Sequence, residues 1–127
     1  MLSPQAVSEL QTAWLPNLTE SALKRLIELV ERRHPFLIQG NWAAAHAMGC
    51  LATHAAWNDS RTADRHADAG YVWLSNVAGV TPERSHVVQE WDAACGNDWN
   101  LRSQLLAFLR QELSRRSQEV AQHEHIR

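Results

Sequence analysis

The sequence predicts an all-α protein, a compact orthogonal bundle of about five to six short helices. Three observations predict it. Apolar residues recur at three- and four-residue spacing along most of the chain and never alternate over a strand-length run. Hydroxyl, Asn or Asp caps precede the periodic segments, twice with Pro directly behind, and Gly follows others. The 127 residues suit one domain, 1–127, without repeat, low-complexity tract or linker. Residues 118–127 are expected to form a loose tail.

Ser3-Pro4 opens the first helix as a hydroxyl cap with Pro at the first helical position. Val7, Leu10 and Trp14 follow at helical spacing, and Pro16 ends the segment. Thr19 caps the second helix, with Leu18 and Leu23 at staple positions. Its apolar face carries Leu23, Leu26, Ile27 and Val30, and His34-Pro35 is expected to end it. Residues 36–40 form a short apolar connection. Asn41 then caps a third helix over 42–57, which is rich in Ala and free of charge, and so is expected to be the central buried one.

A turn at Asn58-Asp59-Ser60 leads to a fourth helix over about 62–78. Its inward stripe is Ala63, Ala67, Gly70, Tyr71, Leu74, Val77 and Ala78, and Gly79 fits the left-handed position after it. Thr81-Pro82-Glu83 signals another start, with Val87, Val88, Trp91 and Cys95 inward and Gly96 closing. Asn97 or Asp98 caps the last helix, whose apolar side is Leu101, Leu105, Phe108, Leu109 and Leu113. That helix is expected to fray near Gln118, leaving His123-Glu124-His125 loose.

Composition bounds the function. Hydrophobic residues at 45% and charged residues at 20% are globular values, with a core large enough to dispense with staples. A net charge of −2 argues against nucleic acid, which asks for a basic stripe. No apolar run approaches a membrane span, and residues 1–15 lack the basic-then-apolar order of a signal peptide. Cys50 and Cys95 are too few for a disulfide framework, so a reducing, cytoplasmic setting is expected.

One constellation has metal-ligand chemistry: His46-x-x-x-Cys50-x-x-x-His54. On a continuous helix, residues four apart share a face, and His and Cys are the usual zinc donors. The outer two stand ~12 Å apart at 1.5 Å per residue, so one pair would need an acid or imidazole from Asp59, Asp64, His66 or Asp68. The competing reading makes Cys50 a small core residue and the imidazoles hydrogen-bonded edge groups. Cys50 as a nucleophile with a His base has the spacing but no oxyanion hole. No phosphate loop, GxSxG, HExxH or catalytic carboxylate pair stands in the chain, so nothing in it requests an enzyme.

Six tryptophans form a heavy aromatic load. Most fall on apolar helix faces. Trp73 lies off the inward stripe of the fourth helix and Trp99 at the start of the last, so both are expected at the surface as partner contacts. Residues 101–127 carry five Arg against three acids, and Arg110, Arg115 and Arg116 flank the Leu105-Leu109-Leu113 row. This suggests an acidic partner or a homodimer contact, against the plainer reading of a solvated helix face.

Gln39-Gly40-Asn41-Trp42, Gly49-Cys50-Leu51 and Ala78-Gly79-Val80-Thr81-Pro82-Glu83 with Trp91-Asp92 together resemble a layout in small uncharacterised helical proteins of bacteria and phages. Those have a Gln-Gly-x-aromatic element, a Gly-Cys-rich segment and a Gly-Ile-Pro turn. Here the second Cys of that segment is absent and Thr81 intervenes before Pro82. The likeness covers half the chain and implies only a small helical accessory protein. Two functions are therefore expected. The first is a non-catalytic interaction or regulatory protein that binds another macromolecule, a protein partner or itself. The alternative is a zinc-binding protein or metal-dependent hydrolase centred on His46, Cys50 and His54.

Overall fold

A computed structural model describes residues 1–44, 47–94 and 98–125, with side chains up to residue 121 in the last helix. Its described residues form an all-α bundle of six helices: α1 (Pro4–Glu9), α2 (Glu20–Glu31), α3 (Leu51–Trp57), α4 (Ala69–Val72), α5 (His86–Ala94) and α6 (Trp99–His125). α1 runs on into a wider π-wound segment, Leu10–Trp14, and α4 into another, Trp73–Ala78. A 3₁₀ turn, Pro82–Arg84, precedes α5. Among the described residues the only extended pairing is a pair of isolated bridges, Leu37 to Gly49 and Ala43 to Gly49.

The local signals act where they stand. Ser3 Oγ accepts from Ala6 N at 3.1 Å and Thr19 Oγ1 from Ala22 N at 3.0 Å, each relieving an orphan donor of a first turn. Leu18 and Leu23 are both buried. Gly79 adopts φ +73° at the end of the α4 segment, a left-handed turn that a Cβ would strain. Asp98 Oδ1 accepts from Leu101 N at 2.9 Å and opens α6. Asn97, the other cap considered, and Gly96 and Cys95 lie outside the described residues.

Five boundaries differ from expectation. α2 stops at Glu31, before His34-Pro35, because Arg33 turns left-handed at φ +49°. The helix expected over 42–57 is helical only from Leu51. Before it, backbone groups of 36–44 pair with 48–50 instead: Gly49 N donates to Phe36 O, Ile38 N to Gly49 O and Cys50 N to Trp42 O. Asn41 is therefore no helix cap, and Cys50 occupies that position. The fourth helix starts at Ala69 rather than near 62, after turns that span 58–64. Thr81-Pro82 opens only the 3₁₀ turn, and Ser85 Oγ, which accepts from Val88 N at 3.2 Å, caps α5. The last helix is not short and continues past Gln118 to His125.

The core draws on all six helices: α2 packs on both α3 and α6, α3 on α4, and α1 on α5. Trp14, Trp73 and Trp91 are fully buried with Leu10, Leu23, Leu26, Leu29, Leu74 and Leu109. Trp14 and Trp73 pack with centroids 5.4 Å apart at 58°. Each buried indole N–H has an acceptor from elsewhere in the chain: Glu9 Oε2 at 2.9 Å, Asp59 Oδ2 at 3.2 Å and Ile38 O at 2.9 Å. Small residues let α3 and α4 approach closely. Ala52, Ala55, Ala56 and Ala69 are wholly buried, and a Cβ on Gly70 would stand 2.6 Å from Thr53 Oγ1 and 2.7 Å from its backbone N.

Two carboxylates exchanged between helices tie α1 to α5. Glu9 of α1 takes Ser85 Oγ at 2.6 Å, His86 N at 2.8 Å and Val87 N at 3.4 Å at the start of α5. Glu90 of α5 takes Ser3 N at 2.7 Å and Ser3 Oγ at the start of α1. Both acids meet the positive end of the other helix and satisfy its free donors.

Candidate functional site

The metal constellation loses its helical frame. Because α3 begins at Leu51, Cys50 stands at the helix start and His54 one turn inside it, while His46 lies outside the described residues. Cys50 is a buried free thiol, 3.5 Å from Thr53 Oγ1, and burial pushes its pKa up. His54 is buried too. Its Nε2 donates to Phe36 O at 2.7 Å, which fixes the proton on that nitrogen, and its ring meets Trp57 edge-on. Burial pushes the His54 pKa down. Among the described residues no three His, Cys, Asp or Glu side chains converge as metal ligands. Asp59, one of the acids considered as a further ligand, is buried and taken by Arg61 Nη2 at 2.7 Å and by Trp73.

Of the side chains expected to meet a partner, Trp73 is in the core, with no exposed surface. The starting point of the helix explains the error. With α4 beginning at Ala69 and widening into a π turn, Trp73 points inward beside Leu74, and Tyr71 points out with 40% of its surface exposed. The Tyr71 hydroxyl donates to Glu83 at 2.6 Å and its ring meets Trp42 edge-on. The three arginines are engaged within the chain. Arg110 pairs with Glu31 of α2 at 2.6 Å, and Arg115 with Glu112 and Glu119. Arg116 also holds Glu112, and its Nη2 donates to Leu15 O and Leu18 O at 2.8 Å each, strapping α6 to the connection between α1 and α2.

Trp99 is at the surface, with 61% of its area exposed. It belongs to a corner built from the end of α2, one face of α5 and the first turn of α6. Arg33 lies over the Trp99 ring at 4.3 Å from its centroid. Three residues along α6, on the same face as Trp99, Arg102 lies over the Trp91 ring of α5 at 4.8 Å. Each of the two guanidinium groups thus covers an indole.

The two cations differ in how they are held. Arg33 extends from a left-handed backbone just past the α2 C-cap, the position that normally takes Gly. Arg102 has only 9% of its surface exposed, and its Nε and Nη1 have no hydrogen-bond partner among the described residues. Burial, and then the charge on Arg33, press its pKa down from the usual value. The acids nearby in sequence are otherwise engaged. Asp98 caps α6 and takes the Met1 ammonium at 3.2 Å, and Asp92 accepts from Gly40 N at 2.9 Å.

Sequence reading missed Arg33, Trp91 and Arg102 as a group, although one signal was present. Arg102 falls within the buried row of α6, three residues before Leu105 and seven before Leu109, where a charge has no structural reason to stand. Arg33 gave no such signal, because an Arg after a helix reads as an ordinary C-terminal cation.

Open clefts lie elsewhere among the described residues. One, of about 780 Å³, runs between Leu15 and Pro16 on one side and Phe108, Glu112 and Arg115 on the other. Another, of about 460 Å³, is lined by Ala43, Ala47, Trp57, Ala63, Arg65 and His66 among others. A further one, of about 610 Å³, lies over Pro4, Glu9, Thr12, Gly79 and Val80. None of these includes an orphaned buried donor. No described helix is long and apolar enough to cross a membrane. No protein-family model, no curated protein and no solved structure matches the chain.

Proposed function

We propose that this protein is a non-catalytic interaction protein that docks on another protein through the Trp99 corner. One observation carries the reading: an indole 61% exposed, held in place beneath Arg33 and beside a second, buried arginine. Trp and Arg supply the largest share of binding energy at protein interfaces, where a rigid apolar plate and a planar donor fork lose little entropy on docking. The left-handed backbone at Arg33 supports it, since strain of this kind persists where the surroundings over-determine a geometry that serves binding. Glu9, Glu90, Ser3 and Ser85 are spent on the starts of α1 and α5, which favours a structural over a catalytic role for them.

A photoreactive phenylalanine analogue replacing exposed Asn100, beside Trp99, introduced in cells of the source organism, tests the reading. The expected result is one recurrent protein adduct, lost when Trp99→Ala is added, competed away by excess unmodified protein and absent when the analogue replaces exposed Thr12. No adduct at position 100, or the same adducts at both positions, sinks it.

A further inference from the structure

We infer that the cleft beside Trp57 binds a small aromatic carboxylate. This site shares no lining residue with the Trp99 corner and does not depend on the docking reading.

The cleft holds about 460 Å³, with Ala43, Ala47, Trp57, Ala63, Arg65 and His66 among its walls. That lies within the roughly 300–1,000 Å³ at which proteins hold single small molecules. Trp57 is the one indole among its described lining residues, and its ring is fixed before any ligand arrives. The indole N–H donates to Arg65 O at 3.2 Å, and the His54 ring meets it edge-on with centroids 5.3 Å apart. Gly49 lies so close that a Cβ there would stand 3.2 Å from Trp57 Cζ3. Alanines make up the rest of the apolar lining and leave the space beside the ring open. A rigid flat plate in an apolar cleft selects a planar ring, which stacks on it with little loss of entropy.

The two loops that frame this plate are held against their local preference. Residues 43–47 and 63–67 are rich in Ala, which favours helix, yet no described residue of either segment is helical. Ala47 also adopts φ +65°, a left-handed backbone that its Cβ disfavours. Such strain persists where the surroundings over-determine it, and it clusters at ligand sites. Local preference overruled on both sides of one rigid indole marks a geometry that a ligand, and not the local sequence, accounts for.

The carboxylate follows from charge. Arg65 and His66 bring donors to the cleft, and no Asp or Glu is among its described lining residues. Arg65 pairs with Asp68 at 3.0 Å, but the two side chains are 51% and 55% exposed. An ion pair so open to water contributes little, so a ligand anion can share the guanidinium or displace Asp68. The guanidinium fork takes a planar carboxylate edge to edge.

The test follows the indole N–H resonances of the folded protein by NMR, with those of Trp57 and Trp99 assigned by their loss in Trp57→Phe and Trp99→Phe. The probes are naphthoate, its uncharged isostere naphthamide, the non-planar cyclohexanecarboxylate and naphthyl phosphate. The inference expects a saturable shift at Trp57 with naphthoate, and binding at least fivefold weaker with naphthamide and with cyclohexanecarboxylate. Arg65→Gln should bring naphthoate down to the level of naphthamide. Ala63→Leu, at an exposed position that takes the larger side chain without disturbing the core, should fill the cleft and abolish the shift. No saturable shift at Trp57 overturns the inference. So does an equal shift at Trp99, which reduces the effect to stacking on any exposed indole beside an arginine. Naphthamide binding as tightly as naphthoate, naphthyl phosphate binding more tightly, or unchanged naphthoate affinity in Ala63→Leu each overturns it as well.

Discussion

The α1–α5 junction and the α2–α6 corner solve the same problem in opposite ways. At the junction, Glu9 and Glu90 each reach across to the other helix and answer its free donors, with Glu9 also taking the Trp14 indole. At the corner, Arg102 has 9% of its surface exposed yet keeps Nε and Nη1 without an acceptor among the described residues, and Arg33 nearby stands on a left-handed backbone. A chain that satisfies its carboxylates so completely has the means to satisfy a guanidinium. The corner is therefore the place where stability has been given up, and such places are where binding groups stand.

That comparison predicts opposite signs for substitutions on its two sides. The largest effect belongs to Glu9→Ala, which leaves the Trp14 N–H and the start of α5 without their shared acceptor. The loss should be about 3 kcal/mol, since hydrogen bonds to a charged acceptor contribute about 1.5–3 kcal/mol each and are not additive. Urea unfolding measures it. A loss under ~1 kcal/mol would mean that solvent replaces Glu9 at no cost and the junction is not the tie described.

Asp59 sharpens the same side through pH. The Arg61 guanidinium, and secondarily the backbone N–H of Arg61 and the Trp73 indole, hold its carboxyl below the ordinary carboxylate range, against the opposing effect of burial. A carboxyl lowered in the folded state contributes stability that is fully present above its unfolded pKa. That contribution is lost as pH falls from there through the folded pKa. Asp59→Asn should therefore be less stable than wild type at neutral pH, with the difference shrinking below pH ~4. A difference constant across that range would remove Asp59 from the acid transition.

The smallest effect is expected at Arg33. Arg33→Gly removes a left-handed strain of about 1 kcal/mol but also the stacking on Trp99, about 0.5–1 kcal/mol at an exposed site. Thermal unfolding should therefore shift little, and upward if at all, while Trp99 fluorescence moves to the red as its cover is lost. A marked drop in midpoint would show that the contacts of the Arg33 side chain outweigh the strain of its backbone.

What the sequence disclosed divides by range. Ser3, Thr19, Gly79 and Asp98 were legible because a cap acts within three or four residues. The segment before Leu51 misled because its alanines favour helix, whereas its backbone is claimed by Phe36 and Ile38, a pairing no local pattern announces. Gly49 marks that approach only in three dimensions, where a Cβ would stand 2.6 Å from the Thr53 methyl. Trp73 and Tyr71 exchanged places because the inward stripe was counted from a helix start seven residues too early, and the π turn then altered the period. The corner was half visible: Trp99 as an exposed indole was read from its place at a helix start, but Arg102 announced itself only as a charge on a buried row. Its partner Arg33 is brought there by tertiary packing between α2 and α6.

The central claim is that the Trp99 corner serves docking and not the fold, and equilibrium unfolding of Arg102→Met tests it most directly. Met fills much of the same volume without donors, and replacing a buried, unpaired charge by a well-packed apolar chain is neutral or stabilising. The account predicts a variant as stable as wild type or more stable, by up to ~1 kcal/mol after the lost contact with Trp91 is counted. A loss of ~2 kcal/mol or more would contradict it, because it would show that the guanidinium is satisfied within the chain and belongs to the core.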